Sequence, residues 1–176
     1  MIFIQSKRRK IENIQKDFPN SEVIDVTSKG EFPFVKFSPF YPIGNIPVPE
    51  SKNLYSESVE GIWQGLKVFL NSDIDKSKFL ITKMKGIKRT VRKYGKPLGH
   101  RNGTELLDYI SARKLIYVPT YNWVLNNKLS DEIEQLKAIH NKKDIVLLDY
   151  ETNENIDDGR RPFSHAVLIK EYLLNT

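Results

Sequence analysis

Ser56-Glu57-Ser58-Val59-Glu60-Gly61-Ile62-Trp63-Gln64-Gly65-Leu66-Lys67-Val68-Phe69-Leu70-Asn71 is the stretch whose reading decides the fold. Its spacing predicts a helix over 56–71, with Ser56 placed to cap the first turn. At about 100° per residue, Val59, Ile62, Leu66, Phe69 and Leu70 share one side and should face a core. Glu60, Trp63, Gln64 and Lys67 follow at i, i+3, i+4 and i+7 and form a second stripe beside the first. A carboxylate at the margin of an apolar stripe can sit half-buried in a cleft wall. There it loses enough water to raise its pKa, yet a ligand still reaches it. On spacing alone the plainer reading is favoured, an exposed Glu60 paired with a helix neighbour and Trp63 and Gln64 as flank residues.

Upstream, 30–53 holds Pro33, Pro39, Pro42, Pro47 and Pro49 with Phe32, Phe34, Phe37, Phe40 and Tyr41. Prolines at that density exclude a helix interior and a central strand. The aromatics are too apolar for a loose linker, so an ordered extended segment packed on the domain is expected. Further out, 1–5 reads as a strand, 7–18 as a helix stopped by Pro19-Asn20, and 21–26 as a second strand. Downstream, 104–126 reads as two helices broken near Pro119. Ser130 is placed to cap another helix with acids in its first turn. Asp144 to Tyr150 reads as a buried strand, and Ser164 to Leu174 as a closing helix. The expectation is an α+β chain, mostly helical, one domain over 1–176 with a few short strands.

At 176 residues such a chain can bury roughly 70% of its unfolded surface. The absence of cysteine excludes disulfides, thiolate metal sites and cysteine nucleophiles. No apolar run approaches the roughly 20 residues of a membrane helix. The apolar start Met1-Ile2-Phe3-Ile4-Gln5 is too short for a signal-peptide core. A cytoplasmic protein with no membrane partner is expected. The formal net charge is +6, and it is uneven: Lys76 to Arg101 holds ten Lys and Arg and no acid. Such a block is a solvated face or an anion-binding surface. His100, His140 and His165 show no metal-ligand spacing, and His140 near a helix end suits the helix dipole. Neither GxGxxG nor a Walker A loop is present, so no cofactor is expected.

Lys36-Phe37-Ser38-Pro39-Phe40-Tyr41-Pro42, then Ser58-Val59-Glu60, then Gln64 and Lys67, resemble the NADAR (YbiA-like) family. That family carries an aromatic-Ser-Asn-Phe-x-Pro-like stretch and a helix reading roughly Ser/Thr-Val-Glu-His-x-x-Gln-x-x-Lys-Phe. A basic segment follows, similar in place to 85–101 here. Near the end comes an acidic run leading to Trp-Gly, similar to Asp149-Tyr150-Glu151-Thr152 and Asp157-Asp158-Gly159. The resemblance covers about 32 to the C-terminus, is close over 37–69, and leaves the first thirty residues outside as an N-terminal extension. Pro39 stands where the family has Asn, Gly61 where it has His, and no Trp precedes Gly159. The chain also resembles small phage-encoded proteins, which would place it in the host cytoplasm.

The resemblance implies an N-glycosidase, a hydrolase cleaving the bond between ribose C1′ and nitrogen in a phosphorylated riboside or an ADP-ribosylated base. It implies Glu60 as the catalytic carboxylate and Lys67, with Gln64, as a ligand contact. Trp63 or Phe40 would stack on the base. An oxocarbenium-like transition state calls for a nearby carboxylate, and phosphates call for Lys and Arg. Arg89, Arg92, Lys93 and Arg101 are the phosphate candidates. Asp158 is the second-carboxylate candidate, though a loop acid before Gly159 is the plainer reading. The alternative from another class is a non-catalytic nucleic-acid-binding or regulatory protein. It would use the 76–101 block, with Phe79 and Tyr94 interleaved, to track a phosphate backbone.

Overall fold

A computed structural model describes residues 1–175. The fold is α+β, with helix outweighing strand, 39% against 19%. The chain divides into two compact units, Pro39–Trp123 and a unit made of Met1–Ser38 with the chain from Val124 onward. Among the described residues no helix is long and apolar enough to cross a membrane.

The unit containing the N-terminus is built on a three-stranded parallel sheet. Its central strand is Asp144–Asp149, flanked by Ile2–Ser6 and Ser21–Asp25. The register sets Ile4 and Ile24 on either side of Leu147. Ile145, Val146, Leu147 and Leu148 are all buried. A parallel strand with neighbours on both edges and cover on both faces needs an unbroken apolar run, and this sequence supplies one. Helix Ile11–Asp17 buries Ile14 against Val146 and Leu148, with Phe3, Phe18 and Val23 packed around them. Helices Ser130–His140 and His165–Asn175 also pack on the central strand. The expected strands and the closing helix are present within a residue or two. Ser130 is not the cap; Leu129 holds that position and Ser130 is already helical.

At the carboxyl end of the central strand lies a buried ion pair. His165 Nδ1 donates to Asp149 Oδ2 at 2.9 Å, and Nε2 donates to the Val26 carbonyl at 2.9 Å. A carbonyl and an ionised carboxylate only accept, so both ring nitrogens carry protons and the ring is cationic. Ser164 Oγ donates to the same Asp149 oxygen at 2.7 Å. Burial alone would raise Asp149, but the His165 charge and these hydrogen bonds outweigh it and hold the carboxyl at about 2. Burial alone would lower His165; the Asp149 charge and hydrogen bond, the Val26 carbonyl and the Asp25 charge together raise it.

The Pro39–Trp123 unit holds helix Val59–Gly65, the strand pair Ile46–Pro47 and Tyr55–Ser56, and an antiparallel sheet ordered Lys67–Val68, Gly99–Asn102, Glu105–Leu107. The helix is shorter than its periodicity predicts. Ser58 caps it, its Oγ accepting from the Gly61 N–H at 3.0 Å. Ser56 lies in a strand, its hydroxyl donating to the Ser58 and Phe79 carbonyls. The helix ends at Gly65, where the Phe79 ring lies 2.2 Å from the place of a Cβ and so admits only glycine, and the chain beyond pairs with the Gly99–Asn102 strand. Phe69 is still buried, from a tight turn rather than a helix, while Leu70 is 81% exposed.

The region 104–126 also differs from expectation. It opens with strand Glu105–Leu107 and then runs helically through Pro119 without a break. A π-helical turn over Arg113–Tyr117 immediately precedes the proline. Such a wide turn accommodates a ring that would otherwise strike the carbonyl four residues back. The proline-rich segment is ordered as expected. Phe37, Ile46 and Val48 are buried, and the Gly44 and Val48 N–H groups donate to the Glu57 and Leu54 carbonyls.

Asp149→Asn keeps the shape but leaves the His165 cation unpaired, which should cost about 3–5 kcal/mol of unfolding free energy in urea at neutral pH. The pair's pH dependence has a definite sign. The Asp149 contribution is present above the ordinary carboxylate range and is lost as pH falls toward 2. The His165 contribution is present below the ordinary histidine value and is lost as pH rises through its elevated one. A loss under about 1 kcal/mol in Asp149→Asn would refute the pair's structural role.

Candidate active site

The short helix of the Pro39–Trp123 unit turns Glu60 and Gln64 toward the same side, one turn apart. Both are buried, at 7% and 4% exposure, so the exposed-Glu60 alternative does not hold. The Glu60 N–H donates to the Pro39 carbonyl at 2.8 Å, tying the helix start to the proline-rich segment. Gln64 Nε2 donates to Glu60 Oε1 at 2.7 Å, and Lys67 Nζ donates to Gln64 Oε1 at 3.0 Å. Among the described residues Glu60 Oε2 has no hydrogen-bond partner, and it is not one of the atoms sealed from solvent. Burial raises the Glu60 pKa, opposed by the Gln64 hydrogen bond and the charges of Lys67 and Lys88. Burial lowers the Lys67 pKa against the pull of Glu60, and the Lys88 and Arg89 charges lower it further. Glu60 and Lys67 are thus joined through the Gln64 amide, each in surroundings that penalise its charged form.

Gly61 explains one departure from the NADAR-like pattern. A Cβ there would lie 2.7 Å from Ser56 Oγ and 2.8 Å from the Lys78 carbonyl, so no imidazole fits. Trp63 is half-buried. Its ring stacks on His100 with centroids 3.8 Å apart, and the edges of Tyr109 and Tyr117 close in at 5.8 and 5.6 Å. His100 sits opposite Lys67 in the sheet. Burial and the Lys67 charge push its pKa down to about 3, so the ring is neutral. Phe40 is half-buried, with Lys88 Nζ 5.3 Å from its ring centroid.

The phosphate candidates separate sharply. Arg89 is 2% exposed. Its guanidinium donates to the carbonyls of Lys67 and Asp73 and to Ser72 Oγ, and lies against the touching rings of Phe69 and Tyr94, 4.7 and 5.0 Å from their centroids. That cation is spent on holding the backbone. Arg101 pairs with Asp73 at 3.2 Å. Arg92 and Lys93 are exposed on helix Val91–Tyr94, with Lys93 over the Tyr94 ring. The member of the basic block whose charge acts on Glu60 is Lys88, which sequence reasoning did not single out. Nothing local distinguishes Lys88 from its neighbours; its place depends on the fold.

Asp158 belongs to the other unit. Its carboxylate accepts from Arg160 Nε at 2.8 Å and Nη2 at 3.1 Å and faces Arg161. The hydrogen bonds from the Arg160 side chain and backbone hold it at about 2, which makes it a weak base. Among the described residues no group of three His, Asp or Glu side chains gathers as a metal site requires.

Residues 6–169 match a family of unknown function (DUF6939), and the chain belongs to it. The match takes in most of both units, including residues 6–31, which the NADAR-like motifs leave out. No curated protein matches the chain.

Arg89 and Arg92 should behave oppositely on substitution. Arg89→Ala removes a buried cation with its hydrogen bonds and ring contacts, and should cost about 3 kcal/mol or more. Arg92→Ala should stay within about 0.5 kcal/mol. Chemical denaturation of both variants checks this; equal effects would contradict the assignment of Arg89 to the scaffold.

Proposed function

We propose that this DUF6939 protein is an N-glycosidase that hydrolyses the bond between ribose C1′ and nitrogen in a phosphorylated riboside or an ADP-ribosylated base. The observation that carries the reading is Glu60, a buried carboxyl tied through one oxygen only and flanked by the charges of Lys67 and Lys88. As the C1′–N bond breaks, positive charge grows on the ribose, and a desolvated carboxylate stabilises it far more than water would. Water adds to C1′, Glu60 takes its proton, and the electron pair of the broken bond leaves with the nitrogen, which is then protonated. Lys67 and Lys88 supply cations for phosphate or ribose oxygens. Trp63 and Phe40 supply faces for a flat leaving group.

A second reading rests on the 76–101 block. Seven of its cations, Lys76, Lys83, Lys85, Lys88, Arg92, Lys93 and Lys96, are exposed. Lys88 links that surface to Glu60. A protein that uses this surface alone binds a nucleic-acid backbone without chemistry.

Mass spectrometry of products from ADP-ribosylated guanosine and pyrimidine riboside phosphates tests the first reading. Glu60→Gln should lower turnover about 10²-fold or more with ground-state binding largely kept. Full activity in that variant would remove Glu60 from the chemistry. For the second reading, single-stranded DNA should bind with a steep salt dependence. Each of Lys83→Glu, Lys85→Glu and Lys96→Glu that loses a phosphate contact should lower the slope by about 1. Salt-insensitive or absent binding would discard it.

A further inference from the structure

The NADAR resemblance casts Gln64 as a ligand contact, but its surroundings give it a different task. The amide is 4% exposed. Its oxygen accepts from the Arg89 backbone N–H at 2.9 Å and from Lys67 Nζ at 3.0 Å. A backbone N–H can only donate, so it fixes which end of the amide is oxygen. The NH2 end then faces Glu60, where Oε1 accepts at 2.7 Å. A carbonyl oxygen accepts an N–H better than a hydroxyl oxygen does, so this bond favours Oε1 as the carbonyl and Oε2 as the protonated oxygen when Glu60 is neutral.

We propose that Gln64 is a positioning residue: its amide, oriented by the Arg89 backbone, pins Oε1 of Glu60 as an acceptor and reserves Oε2 as the oxygen that exchanges a proton. The catalytic meaning of this rests on the glycosidase reading; the geometry does not. The arrangement also gives Arg89 a second use. Its guanidinium donates to the Lys67 carbonyl, which holds in place the strand from which Lys67 reaches Gln64. The groups that set the charge on Glu60 are Gln64, Lys67 and Lys88, and Lys67 is in turn acted on by Lys88 and Arg89. His100, opposite Lys67, contributes no charge because its ring is neutral. Gln64 is the member of this group that touches both Glu60 and Lys67 through hydrogen bonds.

The test follows the Glu60 carboxyl by carbon-13 NMR in the full chain, its resonance identified by its loss in Glu60→Gln. Gln64→Met keeps the length of the side chain and removes all three of its hydrogen bonds, to Glu60, Lys67 and the Arg89 N–H. The Glu60 midpoint should rise by about one unit, a tenfold gain in proton affinity. Gln64→Glu keeps an acceptor for the Arg89 N–H and for Lys67 and sets a second carboxyl against Glu60. Two coupled midpoints should appear, the upper one above that of the unaltered protein. Thermal melts confirm folding, and Gln64→Glu carries the test if Gln64→Met does not fold. A midpoint unchanged in a folded variant overturns the proposal, since a side chain that merely fills space would leave it alone. With a cleavable riboside, the limb of the pH–rate profile should move with the NMR midpoint. A limb that stays put while the midpoint moves also overturns it. A moving midpoint in a protein that releases no base from any riboside leaves the positioning in place and removes the glycosidase reading.

Discussion

One buried cation organises the Pro39–Trp123 unit. Among the described residues no carboxylate pairs with the Arg89 guanidinium; its charge is met by main-chain carbonyls, a serine hydroxyl and two aromatic rings. Carbonyl and hydroxyl oxygens accept its N–H groups and ring faces attract its charge, so the cation is held there without an acid. Through these bonds one side chain joins the strand after the helix to the turn at Ser72 and Asp73. Its backbone N–H reaches the Gln64 side chain. The candidate site is therefore braced by a residue that reaches Glu60 only through Gln64.

Much of the α+β layout is legible because local pattern and tertiary demand agree. Ile145 to Leu148 is a continuous apolar run in the central strand of the parallel sheet. The helix carrying Glu60 was visible, but its end was not. Helical spacing continues to Phe69 and Leu70, while Gly61 and Gly65 weaken the helix and Phe79 packs where a side chain at 65 would stand. A contact between residues fourteen apart in sequence leaves no periodic trace.

The same limit applies to the site. That Glu60, Gln64 and Lys67 lie together was legible because one short segment carries them. The approach of Lys88 and His100 was not, since it depends on how the chain returns across the helix and the sheet. Arg89 and Arg92 are chemically alike and three residues apart, yet one is sealed and the other exposed. A run of like charges gives no sign of which member turns inward.

The parallel sheet has a consequence for how the chain acquires its structure. Its outer strands end by Asp25, but the strand between them begins only at Asp144. During synthesis the first two strands must wait for more than a hundred residues to leave the ribosome before either finds its neighbour. The intervening Pro39–Trp123 unit is contiguous and can collapse on its own in that interval. The early strand–helix–strand segment meanwhile presents unpaired backbone edges and the apolar surface around Ile14. That waiting period, set by topology rather than by any single contact, is when the edges of these strands are open to wrong partners.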